Sequence, residues 1–307
     1  MLGLALVFLL GSLVGLYLTR TMIPLDQIVV RLPLLAILLA GTAFYRWRRL
    51  PKAVNLILMT TWAFVFGNLH LIPMFIAARM PIPLSDAFLA RLDAALGLEV
   101  PTVLQVMEAH PALRQVLNVS YDTLLFLVTL AIMVPPMCGQ MRAAKEFALG
   151  SVLAALICLP LFAAFQAEGP WVFHGYTPAT DQANYMRVFA AIKSQEWYVV
   201  DLSYGDGLIC FPSFHTILAV LAAAALWPIS YVRWPAALLA VLIVISTVTT
   251  GTHYVADVVA GLLVTLVVVV LAKGYSRLET RLTTEPKKGT QLFSLARKSC
   301  VPFFDRD

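Results

Sequence analysis

The chain has 307 residues, of which 60% are hydrophobic and only 13% are charged. This composition is far more apolar than that of a soluble domain, in which charged residues are about twice as common. The formal net charge is +5, but the positions of the basic residues follow a membrane topology, as shown below, and not a nucleic-acid interface. We therefore expect an integral membrane protein with no nucleic-acid partner.

Eight apolar segments are long enough to cross a bilayer, which takes about 20 residues as a helix. They run approximately over residues 2–19, 29–45, 54–77, 116–136, 147–165, 213–231, 235–252 and 254–272. In lipid, a helix satisfies the hydrogen-bonding groups of its own backbone. The pattern therefore predicts an all-α integral membrane protein with about eight transmembrane helices. The second segment is the least clear of the eight because Arg31 and Pro33 lie near its start. The first lacks a charged leader and a clear cleavage site, so we interpret it as a retained helix.

These segments divide the chain into three predicted parts. Residues 1–49 form N-terminal transmembrane helices, residues 50–272 form the main membrane domain, and residues 273–307 form a polar cytoplasmic tail. With the N-terminus inside, 15 of the 22 Lys and Arg residues fall on the cytoplasmic side. Short inner loops are rich in these residues in membrane proteins. The pattern predicts a multi-pass protein of the plasma (inner) membrane with both termini in the cytoplasm.

Two long loops are predicted on the outer side. In the first, Leu84, Phe88, Leu92 and related positions recur at helical spacing between a cap at Ser85 or Asp86 and a stop at Gly97. This predicts an amphipathic helix on the membrane surface, either as a lid for lipid access or, more simply, as a packing element. The second loop, residues 166–211, leads directly into the chemical motif and is expected to cover it. The four cysteines show no metal-binding spacing, so we expect neither a disulfide nor a metal site.

The motif opens at Pro212-Ser213-Phe214-His215, at the start of the sixth apolar segment. A helix that begins here points unpaired N–H groups and the positive end of its dipole outward, which suits a phosphate group. Ser213 adds a hydroxyl, and His215 can give and take a proton near neutral pH.

A second histidine follows 38 residues later, after about one trip down the membrane and one back. His253 therefore returns to the outer boundary where His215 lies. Asp257 lies at i+4 from His253, so its carboxylate can orient the imidazole. A lone histidine or aspartate at such a boundary is more often structural, but four such residues on one side favour chemistry.

P-S-F-H followed by H-Y-V-A-D resembles the type 2 phosphatidic acid phosphatase superfamily. Its second motif is similar to P-S-G-H, and its third is S-R, five residues, H, three residues, D. Here Ser246 and Thr247 stand at S-R, with His253 and Asp257 at the matching distances. The strings G-D-G-L-I-C-F-P-S-F-H-T and T-G-T-H-Y are similar to the branch that includes fungal inositol phosphorylceramide synthase and its bacterial relatives. The resemblance implies a six-helix phosphatase-type core bundle and a catalytic role for residues 50–272.

The resemblance also implies a mechanism, with His253, His215 and Asp257 as catalytic residues. His253 would attack phosphorus and form a phosphohistidine, His215 would protonate the leaving oxygen, and Asp257 would orient His253. No metal or cofactor is implied. The substrate would be a membrane lipid phosphate at the extracytoplasmic face, and the phosphoryl group would pass to water, as in a phosphatase, or to an alcohol or lipid acceptor, as in a headgroup transferase.

Two departures from the family pattern concern the phosphate. The arginine of the third motif is Thr247 here, and the first motif, Lys, six residues, Arg-Pro, is absent. We therefore expect Ser213 to bind phosphate together with Lys193 or Arg187 from the second outer loop. The lost cations leave a third alternative open, a catalytically inactive binding or transport protein. No pattern indicates which lipid is bound or what the oligomeric state is.

Overall fold

A computed structural model describes residues 14–176, 180–194, 196–203 and 207–284. The helices are α1 (Leu25–Val29), α2 (Leu32–Trp47), α3 (Pro51–Ala78), α4 (Asp86–Ala95), α5 (Val100–Ala109), α6 (Pro111–Asp122), α7 (Leu124–Met137), α8 (Met141–Ala164), α9 (Pro170–Phe173), α10 (Thr180–Ser194), α11 (Phe214–Leu226), α12 (Arg233–Thr249) and α13 (Val255–Thr284). Thr21–Met22 (β1) pairs in parallel with Tyr198–Val199 (β2).

The chain is a mostly helical membrane protein. Within the described residues, four helical stretches are long and apolar enough to cross a membrane: Leu25–Trp47, Pro51–Arg79, Met141–Ala164 and Val255–Leu282. The pair α6 and α7 makes a fifth if it counts as one span bent by 44°. α11 and α12 are apolar but shorter. The prediction of eight spans is not confirmed, and most of its first segment, 2–19, lies outside the described residues.

Three elements differ in detail from the apolar segments of the sequence. The fourth predicted span, 116–136, is two helices with a break at Thr123. The last helix runs on to Thr284, so the tail predicted from residue 273 begins as helix; the rest of that tail lies outside the described residues. The mostly helical chain agrees with the all-α prediction, and it adds one short β1–β2 pair that joins the chain before α1 to the segment around Tyr198.

The main apolar core lies between α7, α8, α11, α12 and α13. Its fully buried side chains include Leu127, Cys158, Ile217, Ile243 and Val268, one from each of these helices. A second cluster packs the end of α3 against α10 and the chain around β2. These two clusters support the first turn of α11 from both sides, because Phe214 packs against each of them. The six-helix core bundle stays a prediction.

The predicted amphipathic helix is α4, but its buried face is unusual. Gly97 lies just beyond its last residues with φ at 69°, as expected for a stop. Leu84, Phe88, Leu92 and Leu96 remain partly exposed, whereas Asp86, Leu89 and Asp93 are buried. Neither Ser85 nor Asp86 caps α4 with its side chain. The apolar stripe therefore faces away from the protein, whereas the carboxylates of Asp86 and Asp93 point into the protein.

Candidate active site

The site begins where α11 and α13 meet. Gly261 of α13 makes this approach feasible, because a Cβ there would lie 2.8 Å from the carbonyl oxygen of Ser213 and 3.3 Å from Cβ of Thr216. The N–H of Ser213 donates to the carbonyl oxygen of Asp257 at 3.0 Å. These contacts join the first turn of α11, which carries His215, to the first two turns of α13.

The two histidines face each other as the spacing predicted. The ring centroids of His215 and His253 lie 5.7 Å apart with an interplanar angle of 62°. Both rings line one cavity of about 160 Å³. Two groups that can exchange protons or attack an electrophile thus share one space large enough for a small headgroup.

His253 is held by a backbone carbonyl more closely than by a carboxylate. Its Nδ1 lies 2.9 Å from the carbonyl oxygen of Cys210 and 3.4 Å from Oδ2 of Asp257. Both partners are acceptors, so Nδ1 carries the proton and Nε2 keeps its lone pair. Burial lowers the pKa of His253 to about 4, although the bond to Cys210 acts in the opposite direction. The imidazole is therefore neutral near pH 7, as a nitrogen nucleophile requires.

The carboxyl group of Asp257 contacts several donors. Oδ2 accepts from the N–H of Tyr254 at 2.9 Å and from Sγ of Cys210 at 3.2 Å, in addition to His253. Oδ1 is buried and has no hydrogen-bond partner among the described residues. The predicted orientation of His253 by Asp257 is present in weakened form, because the carbonyl of Cys210 provides the shorter contact.

His215 is oriented by an aromatic ring. Tyr121, at the end of α6, stacks on the imidazole with a centroid distance of 4.9 Å and an interplanar angle of 17°. Tyr121 also lines the cavity. In the same turn, Phe214 stacks on His70 with a centroid distance of 5.0 Å. The first turn of α11 is thereby held between two aromatic contacts.

The cavity wall comes largely from residues 166–211, the loop that is predicted to lie on the outer side. Its described lining residues are Tyr121, Glu168, Trp171, Gln182, Tyr185, Gly207, Ile209, Cys210, His215, Thr252 and His253. No lysine or arginine occurs among these residues, and Glu168 is a carboxyl group. Burial raises the pKa of Glu168, Asp86 raises it further, and Lys193 partly offsets both. The electrostatics of the wall therefore do not favour a highly charged anion.

The three expected phosphate ligands lie elsewhere. Ser213 is fully buried, and its Oγ accepts from the N–H and the hydroxyl of Thr216, so it caps α11. Lys193 donates to the carbonyl of Met80 and to Oε1 of Gln166, close behind Glu168. Arg187 is exposed and donates to Oδ1 of Asn184. None of them is among the described lining residues, and their phosphate-binding roles stay predictions.

Several residues of the site escaped sequence reasoning. Cys210 and Tyr121 contact the two histidines, and Asp86 and Asp93 fix the chain around His253, as described below. The spacing of the acids offered one signal, since Asp86 and Asp93 are seven residues apart and share a helical face. Stacking partners such as Tyr121 leave no spacing signature, because they come from a distant helix.

Cys210, His253 and Asp257 also form the described group whose spacing suits a metal ion. One donor atom from each lies within 4.8 Å of the others. Nδ1 of His253 is already directed at the carbonyl of Cys210, and the thiol at Asp257. Hydrogen bonding among the three residues accounts for their proximity. The absence of a metal site stays a prediction.

A comparison with protein families decides the assignment. The profile of the PAP2 superfamily matches residues 87–271, which is more than half of the chain and contains both histidines. The chain belongs to the PAP2 superfamily. Membership supports a phosphatase-type enzyme that acts on lipid phosphates. No curated protein and no solved structure matches the chain.

Within the superfamily, this PAP2 protein departs from the usual third motif at Thr247. The Thr247 side chain is buried, and its hydroxyl donates to the carbonyl of Val244 at 2.7 Å in its own helix. Its carbonyl oxygen accepts the N–H of His253 at 3.0 Å. Thr247 therefore stabilises the turn before His253 and does not replace the charge of an arginine.

Proposed function

We propose that this PAP2 protein is an integral-membrane lipid phosphate phosphatase or phosphotransferase that acts at the extracytoplasmic face through a phosphohistidine. The observation that carries the proposal is the pair His215 and His253 at one cavity, 5.7 Å between ring centroids. A carbonyl contact at 2.9 Å leaves Nε2 of His253 unprotonated, which is the requirement for attack on phosphorus.

In the first step, the lone pair on Nε2 of His253 forms a bond to phosphorus. The negative charge of the bound phosphate favours the protonated form of His215. The bond between phosphorus and the lipid oxygen breaks, and this protonated His215 gives that oxygen its proton. In the second step, water or an alcohol attacks phosphorus while His215 takes its proton. The bond from phosphorus to Nε2 breaks, and both imidazoles return to their first state. Cys210 and Asp257 hold His253 throughout.

Backbone N–H groups are the nearest hydrogen-bond donors for the negative charge of the substrate phosphate. The first N–H groups of a helix have no partner within the helix. In α11, Thr216 is capped by Ser213, which leaves the amides of Phe214 and His215 for a phosphate oxygen. The positive end of the helix dipole adds to their effect. These donors lie beside His215 and suit the developing charge of phosphoryl transfer.

A headgroup transferase of the inositol phosphorylceramide synthase kind is the second candidate, and the cavity wall favours it. A phosphomonoester carries close to two negative charges at neutral pH, whereas a phosphodiester carries one. The described wall offers Glu168 and no lysine or arginine, so the singly charged diester is the less costly ligand. A catalytically inactive membrane binding or transport protein is a third and less favoured alternative.

One assay separates these alternatives. The purified full-length protein is incubated with lipid phosphomonoesters and phosphodiesters labelled at phosphorus, with and without inositol or another alcohol. Release of inorganic phosphate supports the phosphatase, and a new labelled phosphodiester that requires the alcohol supports the transferase. A protein that binds the lipid but releases and transfers nothing contradicts both enzymatic candidates. The variant His253→Ala is the matched control and is expected to lose all turnover.

A further inference from the structure

The buried face of α4 consists of two carboxylates and one leucine. Asp86 and Asp93 are 5% and 2% exposed, and Leu89 between them is fully buried. Carboxylates are almost never this buried unless they are paired. Burial raises the pKa of Asp93, and its bonds to backbone N–H groups act in the opposite direction. A peripheral helix that buries two acids in this way must use them to hold something.

Asp93 holds the start of the helix that follows the nucleophile. Its Oδ1 accepts the N–H of Ala256 at 2.8 Å, and its Oδ2 accepts the N–H of Val255 at 3.0 Å. These are the first two residues of α13, whose N–H groups have no partner inside that helix. Asp93 thus caps α13 from another helix, where a negative charge also interacts favourably with the dipole.

Asp86 holds the residue next to the nucleophile and the wall of the cavity. Its Oδ1 accepts from the hydroxyl of Tyr254 and from the N–H of Gly169, both at 2.9 Å. Its Oδ2 accepts the N–H of Glu168 at 3.1 Å. One carboxylate therefore ties Tyr254 to the segment that presents Glu168 to the cavity.

Together the two acids fix the chain between His253 and Asp257. Tyr254, Val255 and Ala256 are the three residues between them, and each donates one hydrogen bond to α4. Leu89, Tyr254 and Ala256 also pack together in one buried cluster with Cys210, whose carbonyl binds His253. The position of the imidazole relative to His215 thus depends on the hydrogen bonds that the two carboxylates of α4 accept.

We propose that Asp86 and Asp93 are positioning residues for the reaction, which set the place of His253 without touching the substrate. The reaction itself rests on the function proposed above. α4 lies outside the P-S-F-H and H-Y-V-A-D motifs. Its two acids act through backbone N–H groups and the Tyr254 hydroxyl. A misplacement of the reacting group by about 1 Å can lower the rate about 100-fold.

The test compares Asp93→Ala with Leu89→Ala in the full-length protein, since both weaken the seat of α4 but only one removes the cap. We expect Asp93→Ala to lower kcat about 100-fold with KM within about twofold, as loss of positioning predicts. Leu89→Ala is expected to lower Tm at least as much as Asp93→Ala does, but to keep most of the wild-type kcat. Asp93→Asn, which retains one acceptor oxygen, is expected to lie between Asp93→Ala and the wild type, and exposed Glu99→Gln is the surface control.

Two results overturn the proposal: wild-type kcat in Asp93→Ala, or kcat values that fall in parallel with Tm in both variants. Hydrogen exchange at the amides of Val255 and Ala256 gives a second readout that does not need turnover. Faster exchange in Asp93→Ala than in Leu89→Ala supports the cap, and equal exchange contradicts it. If the wild type itself turns over no lipid phosphate, the proposed function fails, while the exchange comparison still decides the role of Asp93.

Discussion

At the scale of single residues, the chemistry depends on which nitrogen of His253 is free. A carboxylate at i+4 is the expected partner from sequence, yet Nδ1 lies nearer to the carbonyl of Cys210 than to Asp257. A neutral carbonyl fixes the tautomer and raises the basicity of the ring less than an ionised carboxylate would. Burial then keeps the ring neutral, which suits a nucleophile that must not be protonated before it attacks.

The pH dependence follows from this burial. His253 has a pKa lowered from 6.5 to about 4 by burial, so its neutral form persists as the pH falls through 6.5 and is lost near 4. We expect the acid limb of kcat/KM to lie well below pH 6.5. The measurement is kcat/KM between pH 4 and 8, and an acid limb centred at 6.5 would show an exposed, unperturbed imidazole instead. The same shift means that stability decreases as the pH falls below 6.5, because protonation of the buried ring favours the unfolded state.

The stack of Tyr121 on His215 provides a second prediction. Tyr121→Phe keeps the stacked ring, which lies 4.9 Å from His215, and is expected to lose less activity than Tyr121→Ala, which frees the imidazole and should lower kcat about tenfold or more. Steady-state kinetics of both variants provide the check. Equal activity of Tyr121→Ala and Tyr121→Phe would show that the stack does not orient His215.

The sequence predicted the candidate residues that follow from helical spacing and missed those that do not. The separation of His215 and His253 corresponds to a helical hairpin, and i to i+4 places Asp257 near His253. The expectation that Lys193 and Arg187 bind phosphate rests only on their position in the second predicted outer loop and on their positive charge. Long side chains reach several partners from one backbone position, so backbone order cannot tell that Lys193 binds Met80 and Gln166.

At the scale of elements, the distance between α11 and α13 sets the distance between the histidines. Gly261 lies against the backbone of Ser213, which cannot move aside as a side chain can. Gly261→Ala should therefore push the two helices apart and lower kcat strongly, although alanine favours a helix by about 1 kcal/mol over glycine.

Gly274→Ala is the matched control in the same helix, because a Cβ at Gly274 meets nothing within 4 Å. It is expected to leave activity unchanged and stability equal or higher. Activity assays and thermal unfolding of both variants test the idea. Full activity of Gly261→Ala would mean that the close approach of α11 and α13 is not required.

Apolar length predicted the existence of the helices well and their ends less well. Hydropathy averages over many residues, so it cannot detect the break at Thr123 that separates α6 from α7. The helix α13 continues to Thr284 past the last apolar residues, because charged side chains with good helix propensity extend it. The two-residue pair β1–β2 depends on contacts between distant loops and leaves no local pattern.

At the scale of the whole molecule, the predicted orientation places the site outside and Cys138 inside. Cys138 is exposed, whereas Cys158 and Cys210 are buried. In a Cys300→Ser background, a membrane-impermeant thiol reagent is expected to label Cys138 only after the cells are permeabilised. An added Glu99→Cys, on the side of the cavity, should be labelled in intact cells. Labelling of Cys138 in intact cells would reverse the topology.

In the proposed mechanism, phosphorus becomes bonded to His253 during turnover. The direct measurement is to incubate the protein with a lipid phosphate labelled at phosphorus, to quench it in alkali, and to map the labelled peptide by mass spectrometry. We expect an acid-labile adduct on His253 that is absent from His253→Ala. The adduct should be retained in His174→Ala, because His174 is exposed and is not among the described lining residues of the cavity. An adduct on another residue, or turnover by His253→Ala, would contradict it.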